Sequence, residues 1–533
     1  MCLRWLNGEQ RSRFTGNRLE VDKVCAFTAR HAQEHVKTVP MCRLKKPLAD
    51  SPSEIGRGED LQIQWIGSGR AIVEPRDVGG TSICCHAVSV IYHGKAASNP
   101  DLYSGLSIIT TVLSVLTGEF FDHPWQSQML SDDRHSSSSI AVIGGGIGGL
   151  AAALSLLRAG LDVHVYEQTR SLRDVGAGIQ ISPNASRILR RLGLADASTM
   201  HGVTPLALRQ RRWDDGCTLQ CTPLGAAVER ACGSPYYQAH RSDLLNALVG
   251  RFPSERFHVG HHLTDLTDHA DRVLAHFDNG RSIEVDALVG ADGIHSTVRR
   301  IVFGGESPQF TGCVAYRGLV AADRLASLEL PLETQIWMGP GKHFVHYFVR
   351  GAALVNFVAI VEQDSWTRES WTGQAPLSEG LTAFESWHPQ VRAILGAVEE
   401  LFIWGLFEHA PMPRWSAGRV TLLGDACHAM LPFLAQGGAQ AIEDGAALAG
   451  CLAQFSRRDI PDALRAYESL RLPRTSRVQA ASQDNRTRFH LPDGPLQRER
   501  DAQICNAATD WFLQAMEWVY GHDAGAVDVV TCA

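Results

Sequence analysis

Gly144, Gly146 and Gly149 form the spacing G-x-G-x-x-G, directly after the apolar run Ile140–Ile143 and at the start of a stretch with Leu and Ala at helical spacing. In that context each glycine has a task. One permits a tight turn, the next lets a diphosphate approach the backbone, and the third lets helix and strand pack closely. The helix start adds free N–H groups and the positive end of a dipole. Glu167 ends the next alternating run 18 residues beyond Gly149, with Gln168 beside it. That is close to the ~20 residues expected for a carboxylate that accepts hydrogen bonds from a ribose. The implied chemistry is the binding of an adenine dinucleotide, with NAD and FAD both open on this motif alone.

The elements that must hold these residues follow the order strand, turn, helix, strand, which predicts a parallel crossover unit and an α/β chain. Ser282–Gly290 and Arg419–Gly424 read as strands ending in Gly. Glu329–Ile360 is strand-like, with turns at Gly339–Gly341 and Gly351, and predicts an antiparallel sheet inserted into the α/β frame. From Asp462 onward the pattern is mainly helical, with Pro473 and Pro492 as punctuation.

The chain has 533 residues, 44% hydrophobic and 20% charged, and a formal charge of -7, so it lacks the basic excess that would bind phosphate backbones or anionic lipid. Nucleic acid and membrane partners are not expected. Thirteen cysteines follow no metal-ligand spacing, which predicts reduced thiols, a cytoplasmic location and no metal. No signal peptide is read in Met1–Gly16, and the apolar stretch Leu106–Leu116 is too short to span a bilayer, which needs roughly 20 residues. Up to Ser139 there is no sustained period and no hairpin signal. Translation is therefore expected to start near Met129, with residues 1–128 a mis-called extension; the rival expectation is a poorly ordered regulatory arm.

Two later motifs separate FAD from NAD. Leu288-Val289-Gly290-Ala291-Asp292-Gly293 runs on to Arg299, and Leu422-Leu423-Gly424-Asp425-Ala426-Cys427-His428-Ala429-Met430-Leu431-Pro432 runs on to Gln436-Gly437-Gly438 and Glu443-Asp444. With the glycine motif, these make the chain resemble the single-component FAD-dependent aromatic hydroxylases, the group of salicylate hydroxylase, from about Ile140 to Asp523. The resemblance includes Tyr237–Arg241, Trp387-His388-Pro389 and Phe489–Gly494. By it, Asp292 lies near the flavin diphosphate, Asp425 accepts a hydrogen bond from the ribityl chain, and Arg241 approaches FAD. Asp292 has a plainer alternative, since Asp after a strand often caps a following helix. Gly437 and Gly438 precede the helix Ala439–Leu452, whose N-terminus can stabilise negative charge on reduced flavin. Ala429 stands where many relatives have Pro, and Glu408-His409-Ala410-Pro411 lacks an Asp-Arg pair often seen there, which leaves a local ion pair in doubt.

The resemblance implies that NADH or NADPH reduces FAD transiently, that dioxygen gives a flavin hydroperoxide, and that its terminal oxygen passes to an electron-rich ring. The protein must then remove a phenolic proton, for which His343 is the candidate base, with Tyr347 four residues on matching a His-x-x-x-Tyr of relatives. On a strand both side chains share a face, and His346 points the other way. The carbonyl near Pro432 is expected at the substrate hydroxyl, whereas no arginine is assigned to a substrate carboxylate. The implied fold is a Rossmann-like FAD-binding domain with an inserted, mainly antiparallel substrate sheet and a helical C-terminus. Its expected divisions are FAD-binding segments at 138–205, 236–315 and 408–455, substrate-sheet segments at 206–235 and 316–407, a helical region at 456–533, and 1–135 as a non-native extension or disordered. The expected activity is hydroxylation of a phenolic aromatic acid by a monomer or homodimer. Salicylate to catechol is the first candidate; 3-hydroxybenzoate, 6-hydroxynicotinate and a non-catalytic FAD redox sensor are the alternatives. No halogenase signature and no C-terminal membrane helix are read.

Overall fold

The computed structural model describes residues 138–171, 177–194, 200–305, 307–366 and 373–526, together with three short strands nearer the N-terminus. The chain divides into two units, Met1–Ser131 and Asp132–Ala533. In the first, β1 (Phe27–Thr28), β2 (Ile63–Ile66) and β3 (Arg70–Val73) pair antiparallel. The pairing of β2 with β3 across three residues is a hairpin that the sequence reading did not anticipate. Its signal is a Gly-containing spacer, Gly67-Ser68-Gly69, between two runs rich in Ile and Val. The expected start near Met129 and the remainder of the expected extension lie outside the described residues.

In the second unit, β4 (Ser139–Ile143), β5 (Asp162–Glu167), β10 (Phe257–Val259), β14 (Ala287–Gly290) and β21 (Val420–Leu422) form a parallel sheet in the order β10-β5-β4-β14-β21, with β20 (Ser416–Ala417) added antiparallel at the edge. Ile140, Ala141 and Val142 are completely buried, as are Val163 and Val165. Such near-continuous apolar strands are what a parallel sheet covered on both faces requires. The helix Ile147–Arg158 starts on the glycine turn and packs on the helix Gly437–Leu452, with Gly445 against the Ala152 backbone.

Ser282–Gly290 is not one strand. It divides into β13 (Ser282–Val285), in a three-stranded antiparallel sheet with β11 (Leu263–Asp268) and β12 (Val273–Phe277), and β14 in the parallel sheet. Asp286 makes the break, because its buried carboxylate accepts from Ser139 N–H at 2.8 Å and from Arg457 Nε at 2.7 Å.

A seven-stranded sheet has the order β19 (Phe402–Glu408), β15 (Gln309–Ala321), β18 (Leu354–Glu362), β17 (Lys342–Val349), β16 (Thr334–Gly339), β7 (Ala207–Arg212), β8 (Thr218–Pro223). All its pairs are antiparallel except β16 with β7. The expected turns at Gly339–Gly341 and Gly351 stand between β16, β17 and β18. Phe344, Phe357 and Trp337 fill the core on one face of this sheet, and Ala315, Ile360 and Met338 belong to the core on the other.

The helix Ile460–Phe489 runs unbroken through Pro473, which the sequence suggests as punctuation in the helical region. A mid-helix proline removes one hydrogen bond and normally breaks or kinks the helix. Here Arg471 and Arg474, on either side of it, are both fastened to Glu443 of the neighbouring helix, which anchors the helix on both sides of the proline.

Candidate active site

The glycine turn, the Asp292 turn and the Asp425 turn meet around one cleft of about 480 Å³. Its walls include Gly144, Gly146, Glu167, Gln168, Arg241, Asp292, Gly424, Asp425, Gly437 and Gly438, so the sequence-predicted cofactor residues converge, with the exception of Gly149 beneath them. Gly149 serves packing: a Cβ there would stand 2.0 Å from Gly144 O. Gly144 has φ +110°, and a Cβ on it would strike Ala291 O at 2.3 Å. Gly146, by contrast, would meet nothing within 4 Å, which leaves its backbone open to a ligand. Glu167 takes the N–H groups of Gly145 and Thr169, both at 2.8 Å, so it braces the turn while its carboxylate edges the cleft. Arg241 lines the cleft with no ion-pair partner among the described residues. A backbone cradle without side chains, a carboxylate at the ribose distance and an unpaired cation fit FAD.

The two aspartates differ. Asp292 Oδ1 accepts from the Ser296 hydroxyl at 2.5 Å, and Oδ2 from the N–H groups of Thr297 at 2.7 Å and Val298 at 3.2 Å. Its carboxylate is therefore committed to folding the turn and capping the helix Thr297–Phe303. Burial nevertheless holds its pKa above the usual carboxylate range. Asp425 is exposed and lines the cleft, and its carboxylate has no hydrogen-bond partner among the described residues. Asp444, from the motif's far end, accepts Gly424 N–H at 3.0 Å and His428 Nε2–H at 2.6 Å, which ties the Asp425 turn to the helix Gly437–Leu452. That helix begins two residues before the expected Ala439, so Gly437 and Gly438 are its first turn. At the departure from the family pattern, His409 Nε2 hydrogen-bonds Ile294 O at 2.8 Å, and Gln483 donates to Glu408 at 2.7 Å.

The other predicted residues, His343, Tyr347 and Pro432, do not line that cleft; the first two stand on one face of the seven-stranded sheet. His343 and Tyr347 are both buried on it, whereas His346 lies on the opposite face beside Phe344. His343 packs 4.8 Å from Phe433 and 5.4 Å from Phe489, ring centre to centre, and its Nδ1 is 2.7 Å from His490 Nε2. Burial first, and His490 second, hold its pKa well below the usual imidazole value, so it is neutral at pH 7. Tyr347 reaches the backbone of Gly178, and burial raises its phenol pKa, opposed by Arg317. Pro432 begins the turn Pro432–Leu434, and its carbonyl accepts Ala435 N–H at 3.0 Å. Gln479, Ser482 and Asn485, spaced by three along one stripe of the long helix, donate to the carbonyls of Ala429, Leu431 and Phe433. They hold that loop beside His343.

Sequence reading missed Arg317. It lies on β15 two strands from His343, with its guanidinium carbon 4.6 Å from the Trp404 ring centre. No carboxylate pairs with it among the described residues, and its Nε is buried without a partner. Burial pushes its pKa down to about 10, which leaves it charged at pH 7. The motif Ala315-Tyr316-Arg317-Gly318 carries no local signal that its arginine faces inward. His490 was read only as part of a motif; its bond to His343 spans 147 residues.

A parallel sheet with a nucleotide cradle, beside an antiparallel sheet carrying a buried neutral histidine and an arginine without a carboxylate partner among the described residues, defines a dinucleotide-binding α/β protein. Residues 137–482 match the model of the FAD binding domain family. A 3-amino-4-hydroxybenzoate 2-monooxygenase of Streptomyces platensis is 43% identical over 389 residues, 73% of this chain and 97% of the relative. A 6-hydroxynicotinate 3-monooxygenase of Pseudomonas fluorescens is 39% identical over 66% of this chain and 91% of its own. Among solved structures, a salicylate hydroxylase substrate complex matches with TM-score 0.63 and 28% identity, over 73% of this chain and 97% of that one. The chain belongs to the FAD-dependent aromatic hydroxylases. It is an FAD-dependent aromatic-ring monooxygenase of a family that uses NAD(P)H. Among the described residues no helix is long and apolar enough to cross a membrane.

Proposed function

We propose that the enzyme hydroxylates a benzoate-type acid whose hydroxyl stands para to the carboxylate, with 3-amino-4-hydroxybenzoate ahead of salicylate. The observation that carries this is the spacing of Arg317 from His343. Their positions differ by two strands across the sheet and by two residues along it. With strands ~4.8 Å apart and ~3.3 Å per residue, the backbone positions are separated by about 12 Å. A cation and a base so far apart match groups at opposite ends of a ring better than the adjacent groups of salicylate. The substrates named for the two relatives, 3-amino-4-hydroxybenzoate and 6-hydroxynicotinate, both have the para relation.

Bound FAD supplies the chemistry of dioxygen activation and oxygen transfer, using electrons from NAD(P)H. The chain's residues do the rest. Gly144, Gly146, Glu167, Gln168, Arg241, Asp425, Gly437 and Gly438 hold the cofactor, with Gly149 and Asp292 shaping their turns. Arg317 orients the carboxylate, and His343 Nε2, which has no partner among the described residues, takes the phenolic proton. Phe433, Phe489 and Tyr347 keep water from the ring. The Pro432 carbonyl keeps one lone pair for the substrate hydroxyl.

The test is NADH and NADPH oxidation by the FAD-loaded full chain with 3-amino-4-hydroxybenzoate, 4-hydroxybenzoate, 6-hydroxynicotinate, 3-hydroxybenzoate and salicylate, products being read by chromatography. The para acids should give hydroxylated product in step with oxidation; faster conversion of salicylate to catechol would refute the assignment. Arg317→Gln should raise KM for the acid by about tenfold to a hundredfold, the scale of one charge-assisted hydrogen-bonded contact, with FAD still bound. An unchanged KM would remove Arg317 from the substrate. Asp425→Ala should weaken FAD retention, measured as flavin content after gel filtration, while the thermal midpoint of the flavin-free protein stays within about 2 °C, as for an exposed residue.

A further inference from the structure

We propose that His490 and Glu362 form a relay that carries the substrate's phenolic proton from His343 to solvent. The proposal rests on His343 being the base. His343 Nδ1 is 2.7 Å from His490 Nε2, and His490 Nδ1 is 3.0 Å from Glu362 Oε1. Both histidines are buried, at 2% and 5% exposure, whereas the Glu362 side chain is 42% exposed. Three titratable groups in hydrogen-bonded order thus connect the buried His343 to the exposed Glu362. Three different elements bring them together: β17, the end of the long helix, and the end of β18. The turn at Gly341 fixes the middle one, with Gly341 N–H donating to His490 O at 3.0 Å.

The hydrogen-bond directions allow one consistent resting arrangement. The Glu362 carboxylate only accepts, so His490 Nδ1 carries its proton and donates to it. His490 Nε2 must then accept, which makes His343 Nδ1 a donor and leaves His343 Nε2 bare for the substrate. When the phenol O–H breaks, its proton bonds to His343 Nε2, the Nδ1 proton moves to His490 Nε2, and the His490 Nδ1 proton moves to Glu362 and then to water. The electron pair of the O–H bond stays on the phenolate oxygen. Reprotonation of the product oxygen by the reverse sequence resets both rings.

His343 needs such an outlet. Its buried ring, between Phe433 and Phe489, is a poor place for a retained positive charge, and burial keeps it neutral. The other groups facing the relay do not replace it. Arg486 of the long helix pairs with Glu362 at 3.4 Å, Glu408 of β19 is bound by Gln483, and burial pushes the Cys313 thiol of β15 up to about 11, so it stays protonated.

The test reads protons directly. Full-length FAD-bound enzyme is mixed without oxygen with the panel acid it turns over fastest, expected to be 3-amino-4-hydroxybenzoate, and the ultraviolet band of the bound phenolate is followed between pH 6 and 9. His490→Gln should slow its appearance by at least about tenfold below pH 8, and Glu362→Ala by less, with recovery of the latter in added acetate or at higher pH. Wild-type rates and pH profiles in both variants would overturn the relay. If His343→Ala still fails to form phenolate in that case, the base assignment stands; if His343→Ala forms it normally, both fall. Should His490→Gln lose its flavin, Glu362→Ala, altered at an exposed position, decides alone.

Discussion

His343→Ala is expected to retain FAD and to lose product formation by roughly 10²–10⁴-fold at pH 7, the usual contribution of a positioned general base. The residue touches no part of the nucleotide cradle, so flavin content and its visible spectrum should be unchanged. The loss should be pH-dependent with a defined sign. A phenol near pKa ~10 is un-ionised at pH 7, and without His343 nothing at the pocket removes its proton; as pH rises past ~9 the substrate arrives as phenolate and the variant should recover. The native enzyme should show no such rise, because the low pKa of His343 keeps it unprotonated throughout. Transfer of the phenolic proton to an imidazole whose pKa burial holds well below its usual value is uphill. On the proposed roles the base therefore depends on proton removal through His490, Arg317 being engaged with the carboxylate at the far end of the ring. Steady-state product formation against pH in both proteins checks this, and equal hydroxylation at pH 7 would take His343 out of the mechanism.

The legible parts of this molecule were those in which neighbours along the chain are neighbours in space. The glycine turn, its flanking strand and helix, and Glu167 form one crossover unit, and their pattern is local. His343 and Tyr347 on one face and His346 on the other follow from the period of a strand. The division of Ser282–Gly290 was hidden because both halves are extended and only one residue joins them, and what separates them is Asp286 meeting Ser139 and Arg457 from far along the chain. Pro473 misled for a similar reason: the local rule against proline is outweighed by long-range ion pairs. Arg317 and His490 acquire their meaning only through partners, or the lack of them, that sheet register and helix docking decide. Motif reading did assign Glu443 and Asp444 to the family pattern, but not what the pair does.

Arg471→Ala should be the most destabilising single change in the described structure, and the reason shows what the Glu443-Asp444 pair is for. Arg471 is 1% exposed, and its guanidinium donates to Asp444 Oδ1 at 2.7 Å, to Glu443 and to Gln440 Oε1 at 2.8 Å. Arg474 adds two bonds to Glu443, at 2.7 and 2.8 Å. Removing one partner from such a cluster leaves buried charge uncompensated, at a cost of about 3–5 kcal/mol. That should lower the thermal midpoint by roughly 6–10 °C at ~2 °C per kcal/mol for a domain of this size. The effect reaches the site, because the same carboxylates hold Gly424 N–H, His428 and Asn184, and Gln440 touches Gln436 at 3.2 Å ahead of Gly437. Flavin retention should fall with stability. Acid adds an independent check. His428 and Arg471 outweigh burial and hold Asp444 down to about 2, below its unfolded value of 3.8, so its stabilising contribution is complete above pH ~4 and is lost as pH falls toward 2. Without Arg471 the folded pKa rises and acid unfolding should begin at higher pH. Calorimetry at pH 7 and an acid titration followed by flavin release measure both effects; a variant with the native midpoint and native acid limit would mean that the buried cluster is electrostatically neutral to the fold, and that some other contact carries the long helix past Pro473.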